Sequence, residues 1–200
     1  ATGSTVKLLY GSAFRSPNVY ELYYQTTASS PPLAPNPNLK PEKIKTYELV
    51  YEQYLEPGIR ASVDGYYYTI DDLINQTIDA AGNLVFENIE EVDARGLELE
   101  LEKRWASGVD GRISYALQRA TNARTGEVLP NSPEQLAKLD VLLPLVKDRA
   151  FAGFEEEYTS SRYTLAGKTV DGYLLTNLTV SAQNVSRTVE ASVSVYNLFN

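Results

Sequence analysis

Nine amphipathic segments run through this chain, and the connections between them alternate strictly between long and short. The segments are residues 5–14, 45–55, 59–74, 94–105, 111–121, 138–145, 150–161, 172–182 and 188–198. Long links at 15–44, 75–93, 122–137 and 162–171 are rich in Pro, Gly, Asn, Ser and Thr, whereas those at 56–58, 106–110, 146–149 and 183–187 are short. In an up-and-down antiparallel sheet every second connection falls at the same end. Strict alternation therefore gives one end reaching loops and the other tight turns. That is the layout of an all-β, antiparallel up-and-down transmembrane β-barrel, here an incomplete section of about nine strands. Greek-key crossings in a soluble sandwich impose no such alternation.

Within the segments the hydrophobic period is two. Leu97, Leu99 and Leu101 alternate with Glu98, Glu100 and Glu102; Ile113, Tyr115 and Leu117 alternate with Arg112, Ser114 and Gln118; Val189, Ala191, Val193 and Val195 alternate with Glu190, Ser192 and Ser194. The apolar sets are expected to face lipid and the charged sets a watery lumen. The run Glu155-Glu156-Glu157 puts a carboxylate on both faces, and Glu156 fits the apolar one poorly. No apolar run approaches the ~18 residues of a transmembrane helix, so any bilayer contact is made by strands.

Composition narrows the chemistry. With no Cys and no His, the chain has no thiolate nucleophile and lacks the commonest general base and metal ligand. No Ser, Asp or Glu set shows converging spacing, so the chain is not read as an enzyme, and neither a metal site nor a cofactor is expected. A net charge of −8 argues against nucleic acid as a partner. Fifteen Tyr stand against five Phe and one Trp. An apolar ring with a wet hydroxyl suits membrane interfaces and binding surfaces.

Five motifs occur in order along the strand rhythm. Gly11, Ala13, Phe14, Arg15 and Pro17 form Gly-x-Ala-Phe-Arg-x-Pro, followed by Glu21-Leu22. Asn36, Pro37, Leu39, Lys40, Pro41 and Glu42 form Asn-Pro-x-Leu-Lys-Pro-Glu. Gly96 opens Gly-Leu-Glu, Pro130 to Pro133 reads Pro-Asn-x-Pro, and Asn197, Leu198 and Phe199 begin Asn-Leu-Phe-Asn. Together these resemble the C-terminal part of the barrel of TonB-dependent outer-membrane receptors. The resemblance implies that residues 1–200 are a portion of such a barrel, with the plug domain and the final strand absent. The missing Met and signal peptide agree with a section of a longer protein. It also implies residence in the outer membrane of a Gram-negative bacterium, contact with outer-membrane lipid, and coupling to TonB through the plug. The implied cargo is a scarce nutrient, a ferric siderophore first and cobalamin or another small-molecule metal chelate second. The motif residues are read as structural, with Arg15 ordering the loop base.

Ligand capture is assigned to the long loops, where Tyr20, Tyr23, Tyr24, Arg124, Arg162 and Tyr163 offer rings and donors. Other clusters read as structural: Glu98, Glu100 and Glu102 as a lumen face paired with Arg112, and Tyr66-Tyr67-Tyr68 as alternating girdle and lumen contacts. Asn18 to Tyr24 is expected to make a short helical turn. The alternative to a transporter wall is a soluble all-β ligand-binding module with Tyr-rich loops.

Overall fold

The computed structural model describes residues 3–88, 91–147, 149–164, 166–186 and 189–199. The elements in order are β1 (Gly3–Arg15), α1 (Val19–Tyr23), β2 (Leu33–Ala34), β3 (Glu42–Glu56), β4 (Ile59–Asp71), β5 (Ile74–Ile78), β6 (Leu84–Asn88), β7 (Val92–Arg104), β8 (Asp110–Asn122), β9 (Gln135–Val146), β10 (Ala150–Thr159), β11 (Arg162–Tyr163), β12 (Thr169–Val170), β13 (Tyr173–Ser186) and β14 (Val189–Val195). Nine of the strands form one sheet in the order β1-β3-β4-β7-β8-β9-β10-β13-β14. All its pairs are antiparallel, and each strand lies beside its predecessor in the wall. Among the described residues, breaks in register occur near the short turns, at Tyr54/Glu56, Ala150/Phe151 and Ala182/Ser186.

The expected up-and-down sheet is present, but its margins and loops differ from the sequence reading. Three of the four long links hold structure that alternation alone does not reveal. β5 and β6 form a hairpin inside the link expected to be a plain loop, and β2 joins β6 in the single parallel pairing among the described residues. A two-residue hairpin, β11–β12, sits in the last long link. These elements are short, so no hydrophobic period has room to build up. The strand expected to reach residue 74 stops at Asp71, because Asp72 turns the chain with φ of +58°.

Alternation sorts the side chains onto two faces. One face is apolar: it carries Val6, Leu8, Tyr47, Leu49, Val63, Leu97, Leu99, Leu101, Ile113, Leu117 and Leu139, all exposed, Leu8 at 83%. An apolar surface of this extent is not tolerated in water. The other face carries an ionic ladder across five strands. Lys7 meets Glu52 at 2.8 Å, Arg60 bridges Glu52 (3.5 Å), Glu100 and Glu102 (3.1 Å), and Arg112 meets Glu102 at 2.7 Å. Arg112 pairs with the Glu file as expected. Arg60, one strand away on the other side, is the stronger hub and has no sequence signal of its own.

Two residues of the charged face explain a motif. The Tyr66 ring lies across Gly96, where an added Cβ would meet it at 2.5 Å. The Tyr66 hydroxyl donates to Gln118 Oε1 at 3.2 Å, and its ring stacks on Tyr68 at 6.0 Å. Tyr67 alternates to the apolar face and donates to Asp93 at 2.7 Å.

The buried apolar residues among those described are Leu33, Leu39, Ile74, Val85, Val92 and Ala94. All lie at the long-loop end. The wall itself has no core, because each strand face meets its surroundings directly. Placing a charge on the apolar face of the complete barrel should therefore be costly. Leu99→Arg is expected to destabilise it by about 2–4 kcal/mol, read as a lowered denaturant midpoint for the heat-modifiable folded band on gels.

Candidate functional site

The long-loop end is built around one guanidinium. Arg15 closes β1 on the charged face. Its Nε and Nη2 donate to Glu42 Oε2 and Oε1 at 2.6 and 2.7 Å, a two-point fork onto the first residue of β3. Its Nη1 donates to both oxygens of Glu21 in α1 at 2.9 and 3.0 Å. Glu21 in turn closes a capping box: the Asn18 N–H donates to Glu21 Oε2 (2.8 Å), and the Glu21 N–H donates to Asn18 Oδ1 (2.9 Å). Asn three residues before Glu is a readable helix-start signal, and it places α1 where the sequence reading expects a helical turn.

Glu42 ties this lock to the next loop, because its Oε1 also accepts the Ile74 N–H at 2.8 Å. The residue is only 9% exposed. Burial pushes its carboxyl up, but the Arg15 fork and the Ile74 amide outweigh that and hold it below its ordinary value of 4.5. Lys43 and Lys45 follow on β3, so this cluster lies beyond the apolar band.

The Asn36 to Glu42 segment is fastened to the β5–β6 hairpin. Asn36 Nδ2 donates to the Phe86 carbonyl at 2.8 Å. Asn88 accepts from Lys40 N–H (2.8 Å) and donates to the carbonyls of Lys40 (3.0 Å) and Asp72 (2.6 Å). Leu39 is buried beneath them. Asn88 is a residue that sequence reasoning missed, since nothing local distinguishes it from other loop asparagines.

The Tyr cluster has more support than the sequence suggests. Tyr20 stacks on Tyr24 with centroids 4.5 Å apart and meets the edge of Phe86 at 5.9 Å. Tyr23 is left 60% exposed. Their helix is tied through Glu21 to Arg15 on the charged face.

Arg162 and Tyr163 lie elsewhere. They line a cleft of about 380 Å³ together with Arg119, Ser132, Glu134, Gln135 and Ser160. Arg119 and Gln135 belong to the apolar face by alternation, so this cleft opens on the opposite side of the wall from Tyr20. The structure does not bring the six loop candidates into one site. Arg124 sits in the turn after β8, where its N–H donates to Asn122 Oδ1 at 2.9 Å. No group of carboxylates suited to a metal is found among the described residues.

The family description "TonB dependent receptor-like, beta-barrel" matches residues 2–198. The chain belongs to the TonB-dependent receptor family. A vitamin B12 transporter, BtuB of Vibrio cholerae serotype O1, is 32% identical over 198 residues, covering 96% of this chain and 28% of that protein. The crystal structure of a mutant ferric enterobactin receptor, PfeA of Pseudomonas aeruginosa, superposes with a TM-score of 0.78 at 19% identity, over 98% of this chain and 32% of that one. The copper transporter OprC gives a TM-score of 0.73 at 20% identity, over 98% and 31% of the two chains. The chain thus spans less than a third of the length of these relatives.

The remaining receptor motif also has a physical basis. Asn197 adopts φ of +54°, a conformation Asn tolerates better than most residues. Its N–H donates to Asn177 Oδ1 at 3.0 Å, and Leu198 N–H donates to the Thr176 carbonyl at 2.9 Å. Thr176, buried here, donates its hydroxyl to Glu156 at 3.3 Å. Glu156 does lie on the apolar face, opposite Thr176 in the register, and this hydroxyl is what accommodates it.

Two outcomes follow from the Arg15 lock. Arg15→Ala leaves Glu21 and Glu42 facing each other without a cation. It should weaken loop ordering by about 1–3 kcal/mol, seen as faster proteolysis between residues 16 and 41 with the folded barrel band unchanged. Because the Glu42 carboxyl is held low when folded, its contribution is present above pH 4.5 and fades as pH falls through the folded value. Protease sensitivity of this loop should therefore rise on acidification, and much less so in Glu42→Gln.

Proposed function

We propose that the chain forms nine strands of wall and part of the outer rim of a TonB-energised importer in the outer membrane of a Gram-negative bacterium. The carrying observation is the asymmetry of the two ends. Every connection long enough to fold over a solute lies at one end, and its base is braced by the Arg15 lock. The apolar face supports a lipid-embedded wall, and the ionic ladder opposite supports a watery lumen filled by a plug domain through which TonB acts. A soluble module has no use for the first of these faces.

Cargo capture is assigned to the rim. Tyr20, Tyr23 and Tyr24 offer rings in the first long link, and Arg124 stands in the third. Arg162 and Tyr163 stand apart in the Arg119 cleft. Aromatic faces and guanidinium groups suit a bulky metal chelate. The 32% identical relative is a B12 transporter, and one fold neighbour is a ferric enterobactin receptor. Cobalamin and ferric siderophores are therefore the two cargoes to test.

Excising residues 18–38 from the full-length receptor should abolish uptake while the strand ladder stays folded. Labelled cobalamin and labelled ferric siderophores would be fed to cells, with surface abundance measured alongside. Full uptake of the native cargo at normal abundance would remove this loop from the site.

A further inference from the structure

The apolar face ends in a row of cations at the long-loop end. Lys43 and Lys45 on β3, Arg95 on β7 and Arg119 on β8 share that face by alternation, just beyond Tyr47, Leu97 and Leu117 of the same strands. The anions of the row are engaged: Asp71 meets Lys45 at 3.5 Å, and Asp93 accepts the Tyr67 hydroxyl. Arg95 and Arg119, by contrast, are direct cross-strand partners. Both are exposed, and neither has an ion-pair partner among the described residues. Like charges set directly opposite destabilise a sheet, and neither guanidinium reaches a carboxylate within ion-pair distance among the described residues.

Arg119 links two adjoining clefts. One is floored by Leu97 and Leu117 and walled by Arg95, Arg119 and Glu134. The other holds Arg162, whose Nη1 is buried without a hydrogen-bond partner and whose guanidinium lies 5.7 Å over the Tyr173 ring. Ser132 and Ser160 line the same cleft. Glu134 is the one carboxylate among these lining residues, against three guanidinium groups.

A ligand satisfying both clefts needs an anionic head with several oxygens and an apolar tail. The guanidinium fork matches phosphate oxygens in geometry and charge, and the leucine floor continues directly into the apolar band. We propose that Arg95, Arg119 and Arg162 form a site on the outward face for the phosphate of a lipid headgroup, with acyl chains lying along Leu97 and Leu117. The location of this site at the outer leaflet rests on the outer-membrane reading above. It is separate from the rim that captures cargo, which lies on the lumen side.

The test uses the full-length receptor in non-ionic detergent, titrated with bisphosphorylated lipid A, with the same lipid stripped of its phosphates, and with inorganic phosphate. Bound lipid is counted by native mass spectrometry. The phosphorylated lipid should bind at least about tenfold more tightly than the stripped form. Arg95→Gln/Arg119→Gln should lose that preference, and Arg162→Gln should lose part of it. Both variants should keep the folded gel band, and Arg95→Gln/Arg119→Gln should also keep cargo uptake, since its two side chains lie on the apolar face. Undiminished preference in the double variant would overturn the proposal. So would inorganic phosphate competing as well as the lipid, which would mark a free-anion site. Lipid binding is read on purified protein, so failure of the import reading in uptake assays leaves this result interpretable.

Discussion

A sheet one strand thick has no interior of its own. Each side chain of the wall faces either the apolar or the charged side, and no second layer packs on the backbone ladder that joins the strands. The rest of this molecule answers to that constraint. Leucines and valines that would form a core in a soluble protein are exposed on one face. The charges that would coat a soluble surface are gathered on the other, where they pair across strands rather than along them. Such partly exposed pairs each contribute little, but Arg60 serves three carboxylates at once and fixes the register of β3, β4 and β7 to one another.

Where the ladder ends, a different solution is needed. The long loops build the only buried apolar cluster found among the described residues. Its polar counterpart is the Arg15 lock, which joins four separate stretches of chain: the end of β1, α1, the start of β3 and the start of β5. A planar fork with several donors can serve Glu21 and Glu42 together, which an ammonium could not do with the same geometry. Binding loops positioned by a rigid scaffold are a recurrent way to build a site, and here the scaffold reaches into the loop base itself.

The two sides of the rim have distinct chemistry. On the charged side the Arg15 lock holds the helix that carries the stacked tyrosines. The outward side presents arginines above leucines. Both lie at the long-loop end of one sheet, the first over β1 and β3 and the second over β7 and β8.

What the sequence determined by itself is the wall. The period of two in β7, β8 and β14, and the alternating link lengths, are local quantities, so Leu97 to Glu102 could be assigned to opposite faces without coordinates. Motif order supplied the family, and Asn18 with Glu21 marked the start of α1. What only the tertiary structure decided is every contact between loops far apart in sequence. Asn88 grips Lys40 across 48 residues, and Ile74 caps Glu42 across 32. Tyr20 finds Phe86, and Arg162 comes to line the same cleft as Arg119. β2, β5 and β6 are too short to express a period, and pairing partners across long loops follow from the shape of the whole end rather than from neighbouring residues. Glu156 illustrates the same limit. Its place on the apolar face could be read from alternation, but the Thr176 hydroxyl that makes the place tolerable lies on another strand, brought opposite by register alone.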